Sequence, residues 1–390
     1  MDRKTTESQF VLVLKLALFL VPLLTGVLLF EVLVRIAGVD VNPNPNWRYH
    51  SVLGWSQEPN GCYDQLTSGE EVHIEFNSLG FRDVERSVAN PNNHRRVVVI
   101  GDSFCEAVEV NLHDTFHQRL QKLLNQSSDQ TWEVINLGVG DFGSAQELIA
   151  LTEYGLAYDP EVVILQIFPL NDICNNSIEL SGLCKSPNDP CRPYFRLENG
   201  HLKLTSAQPV RNFLRRYLAS YRVLEHATLA FLWPPPDPTD EEYRRQRMVQ
   251  LGFEPVDPLL ATFVADEEQI APVAAGWMIL EEVLETMADL AEEKGIHLVP
   301  VVIPFEARVG PRWSELRTMV PSLNMIQDYP EQRLLAACKA LNLKVVLMKE
   351  VFEQNLDLFF PTRGGHLNPE SHRLVAEQIF LNLRDQGLIR

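Results

Sequence analysis

The sequence predicts an α/β fold, a parallel sheet of about five strands with helices on both faces, preceded by one N-terminal transmembrane helix. The first observation is Val97-Val98-Val99-Ile100, four consecutive β-branched residues in the pattern of a strand buried on both faces. The second is alternation: short apolar runs at 97–101, 133–137, 162–168, 297–303 and 344–348 are interleaved with helical patterns at 114–124, 145–156, 277–294, 330–341 and 369–384. Strands and helices that alternate build parallel sheets. The third is the stretch from Phe10 to Phe30, apolar over 21 residues apart from Lys15, Thr25 and Gly26. At about 1.5 Å per residue it is long enough to cross a hydrocarbon core of roughly 30 Å.

Taken in order, the chain opens with that span. Lys15 can snorkel toward the interface, and Pro22 is tolerated in a membrane helix. A cleavable signal peptide is the competing reading, but no small-x-small site follows cleanly and the apolar run exceeds the usual length, so an uncleaved anchor is expected. Arg3, Lys4 and Lys15 precede or open the span and Arg35 follows it. The positive-inside rule then places the N-terminus in the cytoplasm and the main domain outside it, periplasmic or extracellular. The expected organisation is a tail at 1–9, an anchor at 10–34, a juxtamembrane linker with a small β segment at 35–95, and one large domain at 96–390 with an insertion at about 185–275. Val72 to Phe76 alternates as a strand, and Asn77 to Asp83 reads as a turn in which Gly80 supplies unusual backbone angles. In the 277–294 helix, Trp277, Leu280, Leu284, Met287 and Ala291 form one apolar stripe that Gly295 closes. The insertion carries Pro234-Pro235-Pro236, a break, and amphipathic stretches with Arg211, Arg215, Arg216, Arg244, Arg245 and Arg247.

Composition narrows the function classes. Lys and Arg total 34 against 52 Asp and Glu, a net charge of −18, and no basic run with interleaved aromatics occurs. Nucleic acid is therefore excluded as an expected partner. The six cysteines are too scattered for a disulfide framework or a zinc site, and neither a metal nor a cofactor is expected. Cys184 and Cys191 bracket a loop rich in Pro, Asn and Asp, and in an oxidising compartment a bridge between them, or from either to Cys174, is expected, with free thiols the equal alternative. His113 and His117 are spaced to share a helix face, and without a third ligand a solvated face is the expectation.

The polar residues that follow the strands all fall at one sheet edge. Ser103 follows the first strand in Gly101-Asp102-Ser103, the run Asn136 to Gly143 follows the second, Asn171-Asp172 the third, and His366 the fifth. Each has a structural explanation alone, as a turn, a tight connection or a helix cap. Together they lie at the carboxyl ends of parallel strands, where open α/β sheets hold their ligands. A serine hydroxyl needs a base, and His366 is the candidate. An oxyanion needs preorganised donors, which the amides of Ser103 and the Gly140/Asp141 turn and the side chain of Asn171 could supply. Cys105 is expected to pack beneath the site, and Asp102 to belong to the turn.

Gly101-Asp102-Ser103-Phe104, the Asn136 to Gly143 turn, Asn171-Asp172 and His366-Leu367-Asn368 resemble, in order, the four blocks of the SGNH (GDSL-type) hydrolases. The chain also resembles a membrane-anchored subgroup of that family in its single N-terminal span and its Asn77 to Arg82 segment. The resemblance implies a flavodoxin-like three-layer fold and hydrolysis or transfer of acyl esters, with O-acetyl groups of an envelope or extracellular polysaccharide as a substrate class. It does not extend to the 200–275 insertion. Two departures stand out: Asp141 occupies the place of the oxyanion glycine, with Gly140 one residue earlier, so that the turn differs or the alignment shifts by one, and Arg363 and Gly364 stand where the family's acid precedes the histidine.

The expected function is a membrane-anchored serine esterase or O-acyltransferase with Ser103 as nucleophile and His366 as base. An acylated small molecule or glycan is its expected partner, alongside the membrane. Asp357 and Glu370 are the candidate acids, a serine-histidine dyad being the alternative. A catalytically impaired relative that binds glycan or assists assembly is the rival reading, and a membrane scaffold acting through the inserted helices is a third.

Overall fold

The computed structural model describes residues 3–38, 47–181, 192–206, 209–231, 262–265, 270–305, 313–314, 324–354, 358–360 and 365–389. The chain divides into two compact units, Met1–Pro45 with Gln208–Pro235, and Asn46–Ala207 with Pro236–Arg390. Cys184, Cys191, the Pro234 to Pro236 break, Arg244, Arg245, Arg247, Asp357, Arg363 and Gly364 lie outside the described residues.

In the smaller unit, α1 (Arg3–Ala37) contains the segment Ala17–Ala37, long and apolar enough to cross a membrane. Two further helices, α7 (Pro209–Tyr217) and α8 (Ala219–Phe231), belong to the same unit. The Glu31 carboxylate accepts the Ala219 and Ser220 amides at 3.0 and 2.8 Å, while Arg35 donates to Glu31 and to the Tyr217 carbonyl. Arg211 and Arg215 both pair with Glu225.

The larger unit begins with two antiparallel hairpins, β1 (Trp47–His50) with β2 (Gly54–Gln57) and β3 (Cys62–Thr67) with β4 (Glu70–Glu75). Next in the chain come β5 (Arg95–Ile100), α2 (Ser103–Glu106), α3 (Phe116–Ser127), β6 (Trp132–Asn136), α4 (Ser144–Glu153), β7 (Val162–Ile167), α5 (Pro169–Asn176) and α6 (Ile178–Ser181). The hairpin β8 (Pro193–Glu198) and β9 (His201–Ser206) precedes the helices of the smaller unit. After them the larger unit resumes with α9 (Ala271–Lys294), β10 (His297–Val302), α10 (Tyr329–Ala340), β11 (Val346–Leu347), α11 (Lys349–Glu353), β12 (Phe359–Phe360), β13 (His366–Leu367) and α12 (Pro369–Asp385). Five strands form one parallel sheet in the order β11-β10-β7-β5-β6. The fold is the flavodoxin-like three-layer α/β arrangement.

The strand pattern dictates these layers. Successive side chains of a strand point to opposite faces, so a continuous β-branched run needs cover on both. Val98 and Ile100 pack with Leu148 and Ile149 of α4, Trp277 and Leu280 of α9, and Leu334 of α10. Val97 and Val99 pack on the other face with Phe116 and Leu120 of α3 and Val375 and Ile379 of α12. All five residues of the α9 stripe are buried, and Gly295 ends the helix in the left-handed conformation at φ +68°. β5 is flanked by β6 on one side and β7 on the other, so the chain reverses its winding at the carboxyl end of β5. That switch point is where α/β sheets open a crevice.

Some expectations need correction. The helix expected over 114–124 begins at Phe116, after a 3-10 turn at Leu112–Asp114. His117 is fully buried rather than solvated, beside Thr115 Oγ1 at 3.3 Å, and only His113 is exposed. The reason is the entry of the helix: with Thr115 as its cap, His117 falls on the face that Phe116, Leu120 and Leu124 turn to the core.

Gly276 of α9 abuts α5, and a Cβ there would fall inside contact distance of the Ile173 carbonyl. Gly276→Ala is expected to lower stability by about 1–3 kcal/mol despite the better helix propensity of alanine, because two helix backbones must separate. A shift of the denaturant midpoint measures it; an unchanged or raised midpoint would show that the packing yields freely.

Candidate active site

Each element of the site is delivered by a strand end. β5 stops at Ile100, and Gly101 follows where a Cβ would lie 2.5 Å from Gln166 Oε1 and 2.6 Å from Cys105 Sγ. Asp102 then caps α2 by accepting the Phe104 amide at 2.9 Å. Ser103 opens that short helix and is half-buried. Helix α2 ends after one turn because Ala107 adopts φ +52°, and its amide closes on the Ser103 carbonyl at 2.7 Å.

The segment after β4 braces this turn. Asn77 Oδ1 accepts the Leu79 and Phe81 amides at 3.0 Å, and Gly80, at φ +83°, makes the turn. The buried Arg82 donates to the carbonyls of Glu106, Ala107 and Val110, holding the chain beyond Ser103 in its unusual course. Asn136 Nδ2 joins the two by donating to the Arg82 and Cys105 carbonyls at 3.1 and 3.0 Å.

From the far end of the chain, β13 pairs with β12 and carries His366, while Asn368 caps α12 by accepting the Ser371 amide at 3.0 Å. His366 Nε2 lies 2.8 Å from Ser103 Oγ. On the other side of the ring, Nδ1 is 3.7 Å from Glu109 Oε1, a carboxylate only 8% exposed. A proton on Nδ1, the Glu109 side of the ring, would leave Nε2 to accept from the serine hydroxyl.

Sequence reasoning missed Glu109. It stands six residues after Ser103, where the left-handed Ala107 turns the chain back. No glycine or asparagine marks that turn in the sequence, so nothing local announced it. Of the two expected acids, Asp357 is outside the described residues, and Glu370 is exposed and held by Arg373 Nε at 2.9 Å, which keeps its carboxyl below the usual range.

The oxyanion candidates divide. Asn171 sits in the first turn of α5, with Nδ2 donating to Asp102 Oδ2 at 2.8 Å and Oδ1 accepting from Asn175 at 3.0 Å. An amide nitrogen carries two hydrogens, so one remains for a ligand. Asp141 takes φ +63°, the region glycine enters without strain and aspartate tolerates. Gly140 is a correction: its amide donates to Glu106 Oε2 at 2.9 Å and its carbonyl accepts from Trp55 at 3.1 Å, which commits it to the frame.

Burial governs the electrostatics beneath the serine. Asp102 is pushed up to about 7, chiefly by burial and against the Phe104 amide bond, and burial likewise takes Glu106 to about 7. Cys105, also buried, is raised well above the ordinary thiol range, so it is a packed thiol rather than a nucleophile. Among the described residues no group of three His, Cys, Asp or Glu side chains is arranged to hold a metal.

Fold and site together define a doubly wound α/β protein with a serine, a histidine and a carboxylate gathered at its switch point. No family model and no curated protein matches the sequence. Solved structures similar to this chain include TesA, 13% identical, covering 75% of this chain and 99% of that one at a TM-score of 0.39. Another is the lipase/acylhydrolase from Enterococcus faecalis, 13% identical over 76% of this chain and 97% of that one, at 0.39. A third is the acetyl xylan esterase AlAXEase, 13% identical over 73% and 98%, at 0.35.

The raised carboxyls set a pH dependence. A group whose pKa is higher in the fold than in the unfolded chain stabilises while it is protonated in both states, and that contribution is lost as pH rises through the folded value. For Asp102 the loss runs from the ordinary 3.8 to about 7. Burial lowers His117 and His372, which act oppositely and lose their contribution as pH falls below the ordinary 6.5. Asp102→Asn should therefore flatten the fall in unfolding free energy between about pH 4 and about pH 8, by up to a few kcal/mol at about 1.4 per pKa unit. Parallel curves for the two proteins would contradict the raised value.

Proposed function

We propose that this protein is a serine esterase or O-acyltransferase acting on acyl esters, anchored to a membrane by α1 with its larger unit outside the cytoplasm. The single observation that supports it most is the 2.8 Å approach of His366 Nε2 to Ser103 Oγ with Glu109 behind the ring. In this reading Ser103 Oγ attacks the ester carbonyl carbon while His366 Nε2 takes the hydroxyl proton, and Glu109 balances the charge of the imidazolium. The tetrahedral oxyanion is met by the Ser103 and Asp141 amides and by Asn171 Nδ2. Collapse breaks the ester C–O bond, and the alcohol leaves with the proton from His366. Water or a sugar hydroxyl then attacks the acyl-serine with His366 again as base, which yields hydrolysis or transfer. The sequence resemblance and the anchor favour O-acetyl groups of an envelope or extracellular polysaccharide as the substrate.

Fluorophosphonate labelling of the full chain in membranes tests the reading directly. Labelled protein should sediment with the membrane fraction, and Ser103→Ala should abolish both labelling and hydrolysis of a short-chain aryl ester. An unlabelled wild type would favour the non-catalytic, glycan-binding alternative.

The acid is tested separately. Glu109→Gln should lower kcat by on the order of 10²-fold or more, toward the roughly 10⁴ that Asp-to-Asn exchange costs kcat in the chymotrypsin triad. Glu370→Gln should stay within about twofold of wild type, as expected of an exposed ion pair. A large loss in Asp357→Asn with none in Glu109→Gln would transfer the acid role to Asp357.

A further inference from the structure

An acidic residue is an unfavourable neighbour for a developing oxyanion, yet Asp141 stands in the turn that borders the site. Its surroundings offset that charge. Arg192, only 1% exposed, donates from Nη1 to the Asp141 carbonyl at 2.8 Å and places Nη2 3.0 Å from the Asp141 carboxylate. The guanidinium is fixed in turn by Gln146 Oε1, 2.7 Å from Nη1, and by the Trp55 ring, whose centroid lies 4.8 Å from Cζ. Asn175 Nδ2 donates to the same Asp141 carbonyl at 3.3 Å and to Asn171 Oδ1 at 3.0 Å. Asn171 continues to Asp102, so one chain of side chains runs from Arg192 to the Ser103 turn. The charge of Asp141 is felt at the far end of that chain, where it contributes to raising Asp102.

We propose that Arg192 is a positioning residue for the Ser103 site, holding the Asp141 turn in its left-handed form and cancelling the aspartate's charge beside the oxyanion. The proposal rests on the esterase reading. It accounts for how a chain can carry aspartate where the resembled family has glycine: the bidentate guanidinium supplies by charge and hydrogen bonding what glycine supplies by backbone freedom. Lysine keeps the charge but loses the fork.

The test is a double-mutant cycle on the full chain in detergent, read as kcat and KM for an aryl acetate and as the rate of fluorophosphonate labelling. Arg192→Gln should lower kcat by on the order of 10²-fold with KM within about threefold, the pattern of an interaction made in the transition state. Arg192→Lys should retain kcat within about tenfold of wild type, and Asp141→Gly, whatever its own kcat, is the reference for the double variant. In the double variant Asp141→Gly with Arg192→Gln, kcat should recover to within about tenfold of Asp141→Gly, because no aspartate charge remains to be cancelled. The packing lost against Trp55 and Gln146 is common to Arg192→Gln and the double variant, so a merely structural role would leave both equally slow. Equal slowness overturns the proposal, as does an unchanged Arg192→Gln or an Arg192→Lys as slow as Arg192→Gln. Failure of wild type to label overturns the esterase reading and this one together, whereas a labelled wild type with an indifferent Arg192 overturns this one alone.

Discussion

The site depends on how closely two backbone turns approach around Cys105. Gly101 ends β5 against its sulfur, and a Cβ at Gly138, just past the end of β6, would overlap the Cβ of the same cysteine. Any side chain at either glycine would force the turns apart. Their separation sets where Ser103 is held relative to Asp141, and Asn136 bonds across the gap to Arg82 and Cys105. The rigid sheet supplies the platform, while the glycines allow two of its strand ends to act as one surface. A site on strand ends is held more firmly than one on free loops, which suits chemistry that tolerates little displacement.

Much of the fold was legible because both faces of the sheet demand apolar cover. The run Val97 to Ile100 and the α9 stripe announce themselves through burial, and the structure finds each within a few residues of its expected place. Ser103, Asn171 and His366 were legible for a related reason, since residues just past strand ends converge whatever the loops between them do. Glu109, His117 and Arg192 were not. Each owes its place to a turn or a contact without a local signature: an alanine in a left-handed conformation, the start of a helix, and an arginine 51 residues from the aspartate it binds. Gly140 misled because glycine signals backbone freedom but not which amide will be taken by a buried carboxylate.

Beneath the serine the protein keeps several acids away from water without giving each a cation. Asp102, Glu106, Glu147 and Asp172 are all buried and all raised, with desolvation the leading cause in every case. Desolvation favours the uncharged form of each, and that is what lets so many acids lie close to one site. Arg82 and Arg192, both buried, meet that region from two sides, Arg82 through backbone carbonyls and Arg192 through the carbonyl and carboxylate of Asp141.

Ser103 and His366 touch although 263 residues separate them in the chain. The serine is synthesised early, but its histidine neighbour arrives only with β13, which is followed at once by the Asn368 cap of α12. In the proposed reading, a nascent chain would carry its serine turn before the histidine that could deprotonate it has been made. If the reaction belongs outside the cell's interior, as proposed, the order of the residues would work as a timer, with the hydroxyl armed only once the last helix has folded against the sheet.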